Sequence, residues 1–133
     1  MSNLINLKIE SQYEMGQVIA FVDFLLKKGF KIIRDTSCSL GLDGDFKVCI
    51  DYDSRDAYLS IKIAPSVNAQ SYVSTQFRAG TVLQYLVPDF KMTDDEGAMI
   101  VNNYDLIFAF LDNRLGRKSG FESFQTWTLQ RFQ

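Results

Sequence analysis

Two rows of alternating apolar side chains decide the fold, and they lie in residues 46–63, FKVCIDYDSRDAYLSIKI. Every second position is apolar on both sides of an acidic turn: Phe46, Val48, Ile50 and Tyr52 before it, and Leu59, Ile61 and Ile63 after it. A turn centred on residues 54–55 would pair Ile50 with Leu59 and place both rows on one face. The stretch therefore predicts an antiparallel hairpin that covers a core, with residues 53–56 as its turn.

The opposite face of this hairpin is polar and carries one aromatic residue: Lys47, Cys49, Asp51, Tyr58, Ser60 and Lys62. On the predicted register Lys47 lies opposite Lys62, a mild like-charge repulsion that a negatively charged partner could relieve. The alternative is a sheet face that only meets solvent. An acidic residue within this row would repel phosphate, so the face does not favour nucleic acid as a partner.

Residues 5–28 predict a strand followed by a helix. In INLKIE, residues 5–10, apolar and polar residues alternate, which is typical of a half-buried strand. Ser11 and Glu14 form a capping box, and apolar residues follow at helical spacing. Gly29 stands where a left-handed C-terminal cap is needed. We therefore expect the first helix to run from about Gln12 to Lys28.

Residues 30–40, FKIIRDTSCSL, predict the next strand, and a three-residue loop at 42–44 returns the chain. Gly44 occupies the loop position that requires a left-handed backbone. On this register three pairs face each other and point inward: Leu40 with Phe46, Cys38 with Val48, and Thr36 with Ile50. The two cysteines, Cys38 and Cys49, then lie on opposite faces of the sheet.

Residues 79–87 and 93–116 predict two helices after the strands. An apolar stripe at helical spacing spans residues 79–87 and stops at Pro88. Thr93 and Glu96 form a second capping box, so the longer helix begins there, and Gly116 can end it. Acidic residues lie at its start and basic residues at its end, which suits the helix dipole: Asp94, Asp95 and Glu96, then Arg114, Arg117 and Lys118.

A third capping box, Ser119 with Glu122, predicts a short last helix that carries Phe124 and Trp127. The element order is therefore β-α-β-β-β-α-α-α. Strands followed by helices favour the α+β class, here an antiparallel sheet of three to four meandering strands packed against about four helices. A length of 133 residues suits a single globular domain over residues 1–133.

Composition excludes several function classes. The chain has no histidine, which removes the Ser-His-Asp and Cys-His nucleophile arrangements and the usual zinc sites. A net charge of −2 lacks the basic footprint of a nucleic-acid-binding protein. The sequence shows neither a signal peptide nor an apolar run long enough to span a membrane, so we expect a cytoplasmic protein with no membrane partner.

We expect no cofactor and no metal. The acidic residues around the two turns are not spaced as in an EF-hand loop: Asp43, Asp45, Asp51, Asp53 and Asp56. Cys38 and Cys49 cannot complete a metal site alone, and we interpret them as structural thiols. A carboxylate-based enzyme stays open as an alternative, because the chain has 16 acidic residues and nothing singles out a pair.

A helix that closes on Gly-Phe, followed by a meander with a Tyr-Asp-x-Arg turn, resembles small bacterial immunity proteins, which neutralise toxins. The resemblance covers residues 21–63 and is carried by FVDFLLKKGFKI and FKVCIDYDSRDAYLSIKI, with these residues at the matching positions: Gly29, Phe30, Tyr52, Asp53 and Arg55. It implies an inhibitor that binds one cognate toxin, typically a nuclease or another domain that acts in the cytosol, and blocks its active site.

We therefore predict a non-catalytic protein-binding module, monomeric or homodimeric, with a cognate toxin as its protein partner. Two candidate contact surfaces are the hairpin, with Lys47, Asp51, Asp53, Arg55, Asp56, Tyr58 and Lys62, and the acidic helix entry, with Asp94, Asp95 and Glu96. Arg55 and Tyr58 are the residue types enriched at binding hot spots, and a basic nuclease would be steered toward the acids. An acidic dimeric chaperone for a secreted effector fits the composition almost as well.

Overall fold

A computed structural model gives a five-stranded sheet with helices before and after it. The structure describes residues 5–66, 76–91 and 95–111, together with residues 124, 127, 129 and 130. The elements in chain order are α1 (Gln12–Lys27), β1 (Lys31–Asp35), β2 (Ser39–Asp43), β3 (Phe46–Asp53), β4 (Tyr58–Pro65), β5 (Phe77–Arg78), α2 (Ala79–Leu86), α3 (Glu96–Asn102) and α4 (Tyr104–Leu111).

The five strands form one antiparallel sheet in the order β1-β2-β3-β4-β5. The predicted α+β class is confirmed, but the predicted strand number and order are wrong. The buried residues of all four helices join one face of the sheet, called here the inner face, in a single core. Its largest fully buried side chains are Phe46, Leu25, Leu40, Leu42, Ile50, Ile63, Leu83, Ile100, Ile107, Val22, Val48 and Val82.

Helix α1 follows the sequence prediction closely because its signals are local. At its start the Glu14 N–H donates to the Ser11 hydroxyl over 3.2 Å, which is one half of the predicted capping box. At its end Gly29 has a φ of 95°, and the Phe30 N–H donates to the Leu25 carbonyl over 3.0 Å. This left-handed cap turns the chain so that Phe30 enters the core.

The predicted strand at residues 5–10 is not a strand of the sheet. Leu7 and Ile9 are buried, as the alternation indicated. However, the Asn6 N–H donates to the Asp35 carboxylate over 2.8 Å, and the Lys8 N–H donates to the Ser37 carbonyl over 2.9 Å. Because its amides bind a side chain and a turn instead of a neighbouring strand, the segment packs as extended chain without a ladder.

The single strand predicted over residues 30–40 is two strands, β1 and β2, joined by a tight turn. The Thr36 hydroxyl accepts hydrogen bonds from the Cys38 N–H over 3.3 Å and the Ser39 N–H over 3.0 Å, which fixes this turn. Thr36 and Cys38 are therefore exposed at the turn, and their predicted inward pairing with β3 is wrong. The prediction failed because a hydroxyl-capped turn interrupts an otherwise strand-like run.

Both hairpin registers differ from the prediction, but the faces do not. Ile50 pairs with Leu40 on one side and Ile61 on the other, where the sequence predicted Thr36 and Leu59. The β3–β4 turn contains four residues, 54–57, because the Asp53 carboxylate accepts the amide of Arg55 over 3.0 Å and so holds Asp53 at the strand end. A shift of an even number of residues keeps each side chain on its face, so the predicted inner residues of β3 and β4 stay on the core side, with Leu59 half-buried.

Gly44 is required for a different reason from the predicted one. Gly29 is the glycine with positive φ in the described residues, so Gly44 is not left-handed. A Cβ at Gly44 would instead lie 2.6–2.9 Å from three ring atoms of Phe30. The glycine allows the Phe30 ring to pack directly on the β2–β3 turn.

Helix α2 ends before Pro88, as predicted, but the long helix predicted from residue 93 is wrong in two respects. Asp95 is the N-cap of α3, since its carboxylate accepts the Ala98 N–H over 3.2 Å. The helix also breaks at Asn103, whose side-chain amide donates to the Met99 carbonyl over 2.9 Å, and α4 follows. The predicted helix ends and caps at Thr93, Asp94, Arg114, Gly116, Arg117, Lys118, Ser119 and Glu122 lie outside the described residues.

No helix in the described part of the chain combines the length and the apolar character that crossing a membrane requires.

Candidate functional site

The outer face of the sheet, opposite the core, carries polar and charged side chains in rows across the strands. One row crosses all five strands through successive pairs: Arg34, Gly41, Cys49, Lys62 and Arg78. Three outer-face residues, Gly41, Cys49 and Ala64, are buried without belonging to the core cluster. The outer face is therefore a surface with three cations in one row.

The predicted repulsion between Lys47 and Lys62 is absent, because the register differs. Lys47 lies opposite Ala64, and Lys62 lies opposite Cys49. The Lys62 ammonium is 3.8 Å from a carboxylate oxygen of Asp51, the one ion pair among the described residues. A negatively charged partner therefore has no repulsion between these two lysines to relieve.

Cys49 is a buried thiol on the outer face, and Cys38 is exposed in the β1–β2 turn; both are free. The Cys49 thiol donates to the Asp51 carboxylate at 3.5 and 3.6 Å and lies 3.7 Å from the Ser39 hydroxyl. Burial, together with the Asp51 charge, raises the pKa of this thiol. Cys49 is therefore protonated at neutral pH and a poor nucleophile.

The tip of the β3–β4 hairpin is exposed, and hydrogen bonds within the turn brace it. The Asp53 carboxylate accepts the amides of Arg55 and Asp56 over 3.0 and 3.4 Å. Within the described residues, the side chains of Arg55 and Asp56 make no hydrogen bond or ion pair. The described acids also form no group of three or more that could hold a metal ion.

A cleft of about 260 Å³ lies where the start of β4 meets α1 and the start of α3. We call it the edge cleft; its lining residues are Gln17, Val18, Phe21, Tyr58, Leu59, Ile61, Arg78, Asp95, Glu96 and Gly97. It brings together one residue of the first predicted surface, Tyr58, with two of the second, Asp95 and Glu96. Asp94 lies outside the described residues, and the other predicted contact residues do not line the cleft.

The charges in the edge cleft are only partly balanced. Burial raises the pKa of Glu96, the nearby Arg78 lowers it, and Asp95 raises it further, so that the net direction is upward. Arg78 donates a hydrogen bond to the Tyr58 hydroxyl, and its guanidinium lies 5.7 Å from the centre of the Tyr58 ring. The Arg78 guanidinium therefore lies at the side of the cleft, in contact with Tyr58.

A second cavity, of about 340 Å³, adjoins the edge cleft and shares four lining residues with it: Gln17, Phe21, Asp95 and Gly97. It lies between α1 and α3 and is lined mainly by apolar atoms, including those of Phe24 and Val101. A Cβ at Gly97 would come within 3.1 Å of the Phe21 ring, so this glycine allows the two helices to approach closely.

Three residues that line the edge cleft were not predicted from the sequence: Arg78, Gln17 and Phe21. Arg78 is placed by β5, which has two residues and is too short to show any periodicity. Gln17 and Phe21 are one turn apart on α1, and only the packing of α3 against that helix turns their face into a wall. The glycine at position 97 was the one signal of close helix packing that the sequence offered.

Comparisons with known proteins found no match: no family model, no curated protein and no solved structure resembles this chain closely enough to be counted. The resemblance to immunity proteins therefore stays a prediction from residues 21–63.

Proposed function

We propose that this chain is a protein-binding module that acts in the cytoplasm as an immunity-type inhibitor of a cognate bacterial toxin. The observation that supports it is the ordered, exposed tip of the β3–β4 hairpin. Arg55 and Asp56 are exposed at this tip, and Tyr58, the first residue of β4, is 47% exposed beside it. A surface that is already ordered loses little conformational freedom when it binds, so more of the contact energy becomes affinity.

The residue types at the tip support the same proposal. Arginine and tyrosine are enriched among the few interface residues that contribute most of the binding energy. Asp53 uses its carboxylate to order the turn, which leaves Arg55 and Asp56 available to a partner. The resemblance to immunity proteins includes this turn, which makes a toxin the first choice of partner.

The test is to express the chain together with the product of the gene beside it in the genome. We expect the neighbouring product to stop growth when expressed alone, and the chain to restore growth and to form a stable complex with the purified toxin. Replacing Arg55 or Tyr58 with alanine should raise the Kd of that complex at least about 30-fold, since hot-spot residues contribute about 2 kcal/mol or more. Lys31→Ala, an exposed change on the far edge strand, is the matched control.

Three outcomes would contradict the proposal. The first is a neighbouring product that is harmless. The second is a toxin that the chain neither binds nor neutralises. The third is a client that the chain holds only while the client is unfolded, which is the behaviour of an effector chaperone.

A further inference from the structure

Strand β4 has an open edge at its start. Strand β5 pairs only with Lys62 and Ile63, so among the described residues no strand lies beside residues 58–61 on that side. The exposed stretch is about 13 Å long, and because alternate residues of an antiparallel strand point their N–H and C=O groups to the same side, two of its four residues present both groups to the open edge. Such an edge is a template for another strand. The opposite edge of the sheet is less suitable, because β1 has a bulge between Ile32 and Arg34.

The edge cleft lies directly beside this open edge and has two kinds of wall. Val18, Phe21, Leu59 and Ile61 supply apolar surface, and Asp95 and Glu96 supply carboxylates. A side chain with an apolar stem and a charged end fits such a site, and lysine and arginine have that form. A peptide strand on the β4 edge would project alternate side chains toward the cleft.

The charge of the cleft favours a cation. Asp95 and Glu96 are two acids, and Arg78 is the one basic residue among those that line the cleft. Arg78 donates its hydrogen bond to Tyr58 and, within the described part of the chain, forms no ion pair with Glu96, so it does not compensate that partly buried carboxylate at contact distance. An incoming ammonium or guanidinium group would do so and would gain a charge-assisted hydrogen bond.

We propose that the edge of β4 at residues 58–61 accepts an extended segment of the partner protein as an added strand, with a lysine or arginine of that segment in the edge cleft beside Glu96. The inference rests on the proposed function, since the segment belongs to the toxin. It adds a mode of recognition, which is strand addition with one basic anchor, and it makes Glu96 the specificity residue.

The test uses a displayed library of random twelve-residue peptides, selected on the full-length protein without the toxin. We expect the enriched peptides to share a lysine or arginine within a run of β-branched or aromatic residues. Glu96→Gln should weaken their binding at least 10-fold, and replacing the peptide's basic residue with norleucine should weaken it equally. The two changes together should weaken peptide binding little more than either change alone, because both remove the same contact.

Asp89→Asn is the matched control, because Asp89 is an exposed acid that does not line the cleft; its peptide affinity should equal that of the wild type. Amide chemical shifts of the wild-type protein with bound peptide should change at residues 58–61 and 95–97. Thermal unfolding of the Glu96→Gln variant checks that it is folded.

Several results would overturn the inference: no enrichment, enriched peptides without a basic residue, equal affinity for the Glu96→Gln variant, or shifts confined to the outer face. A homodimer that pairs through this edge, seen as a doubled mass that Glu96→Gln abolishes, would also overturn it. The two proposals fail separately. If the protein binds the peptides but does not neutralise the toxin, the strand-addition site is retained and the immunity function is wrong. If Glu96→Gln leaves neutralisation unchanged, the immunity function is retained and the strand-addition site is wrong.

Discussion

The two acidic turns of the sheet look alike in sequence but are built differently. In the β2–β3 turn, Asp45 accepts a hydrogen bond of 2.6 Å from the Tyr104 hydroxyl, and Asp43 accepts one of 3.0 Å from the Ser66 hydroxyl. In the β3–β4 turn, the hydrogen bonds that the Asp53 carboxylate accepts within the described part of the chain come from amides of its own turn. The first turn is anchored to the rest of the protein, and the second is open to solvent.

The difference comes from what distant parts of the chain place over each turn. The cap of α1 positions the Phe30 ring against Gly44, and α4 positions the Tyr104 hydroxyl to donate to Asp45. The two rings belong to one aromatic cluster with Phe46, and the Lys28 ammonium lies 4.6 Å from the centre of the Tyr104 ring. An acidic turn is therefore structural or available for binding according to its neighbours, and its own sequence does not decide which.

The largest expected effect is that of Gly44→Ala in the anchored turn. The new Cβ would overlap the buried Phe30 ring, and overpacking of this kind costs about 2–3 kcal/mol of unfolding free energy. Urea unfolding followed by circular dichroism measures the loss. Ser54→Ala in the open turn should change stability by less than about 0.5 kcal/mol.

Gly16→Ala is the control for the change of residue type, because nothing lies within 4 Å of a Cβ at that position on α1. It should stabilise the protein by about 0.5–1 kcal/mol, since alanine favours a helix over glycine. If Gly44→Ala is as harmless as Gly16→Ala, the close packing of Phe30 on the turn is wrong.

The next effect is that of Tyr104→Phe, which removes the hydrogen bond to Asp45 and keeps the ring. A bond to a charged acceptor contributes about 1.5 kcal/mol or somewhat more, so the unfolding free energy should fall by about that amount. Tyr58→Phe, the equivalent change beside the open turn, removes an exposed contact with Arg78 and should cost less than about 0.5 kcal/mol. Equal losses from the two variants would remove the distinction between the turns.

The same tyrosine predicts a dependence on pH. Burial, then the hydrogen bond to Asp45 and the charges of Asp45 and Asp105, raise the pKa of Tyr104 above its ordinary value of 10.0. The pKa of Tyr104 is therefore higher in the folded than in the unfolded protein. Its contribution to the unfolding free energy is complete below about pH 10 and is lost as the pH rises further. At pH 10.5 the loss is at most about 0.8 kcal/mol before solvent screening is allowed for.

Urea unfolding at pH 8.5 and pH 10.5 measures this loss, with Tyr104→Phe as the reference, since the variant retains the other five tyrosines. The wild type should lose more stability between the two values than the variant does. An equal loss would mean that Tyr104 ionises as freely in the folded as in the unfolded protein.

Sequence patterns predicted the features that depend on neighbouring residues. Helix α1, with Ser11 at one end and Gly29 at the other, and the inner faces of β3 and β4 are of this kind. The β3–β4 register could not be predicted, because it depends on the length of a turn that Asp53 fixes through a side-chain hydrogen bond. The β1–β2 turn was missed for the same kind of reason, because the Thr36 hydroxyl fixes it. An even register shift preserves the face, which is why the predicted core survived a wrong pairing.

The candidate site was predictable only in pieces. Tyr58, Asp95 and Glu96 were each identified, but from separate surfaces that the sequence gave no reason to join. Their meeting depends on how α3 packs against α1 and on the pairing of Arg78 with β4, both of which are tertiary. A two-residue strand carries no periodic signal, so no reading of the local sequence could have placed Arg78.

The smallest expected effect is a gain in stability from Ala57→Gly in the open turn. Ala57 has a φ of 51°, a left-handed conformation that costs an alanine about 1–2 kcal/mol and a glycine almost nothing. Glycine has more conformational freedom in the unfolded chain, which offsets about 0.5–1 kcal/mol of this stabilisation. The net stabilisation should be about 0.5 kcal/mol. Ser54→Gly, in the same turn, should not stabilise the protein, because Ser54 has no positive φ to relieve. If Ala57→Gly instead destabilises as much as Ser54→Gly, the turn is not held in the conformation that makes Arg55 and Tyr58 a ready contact surface.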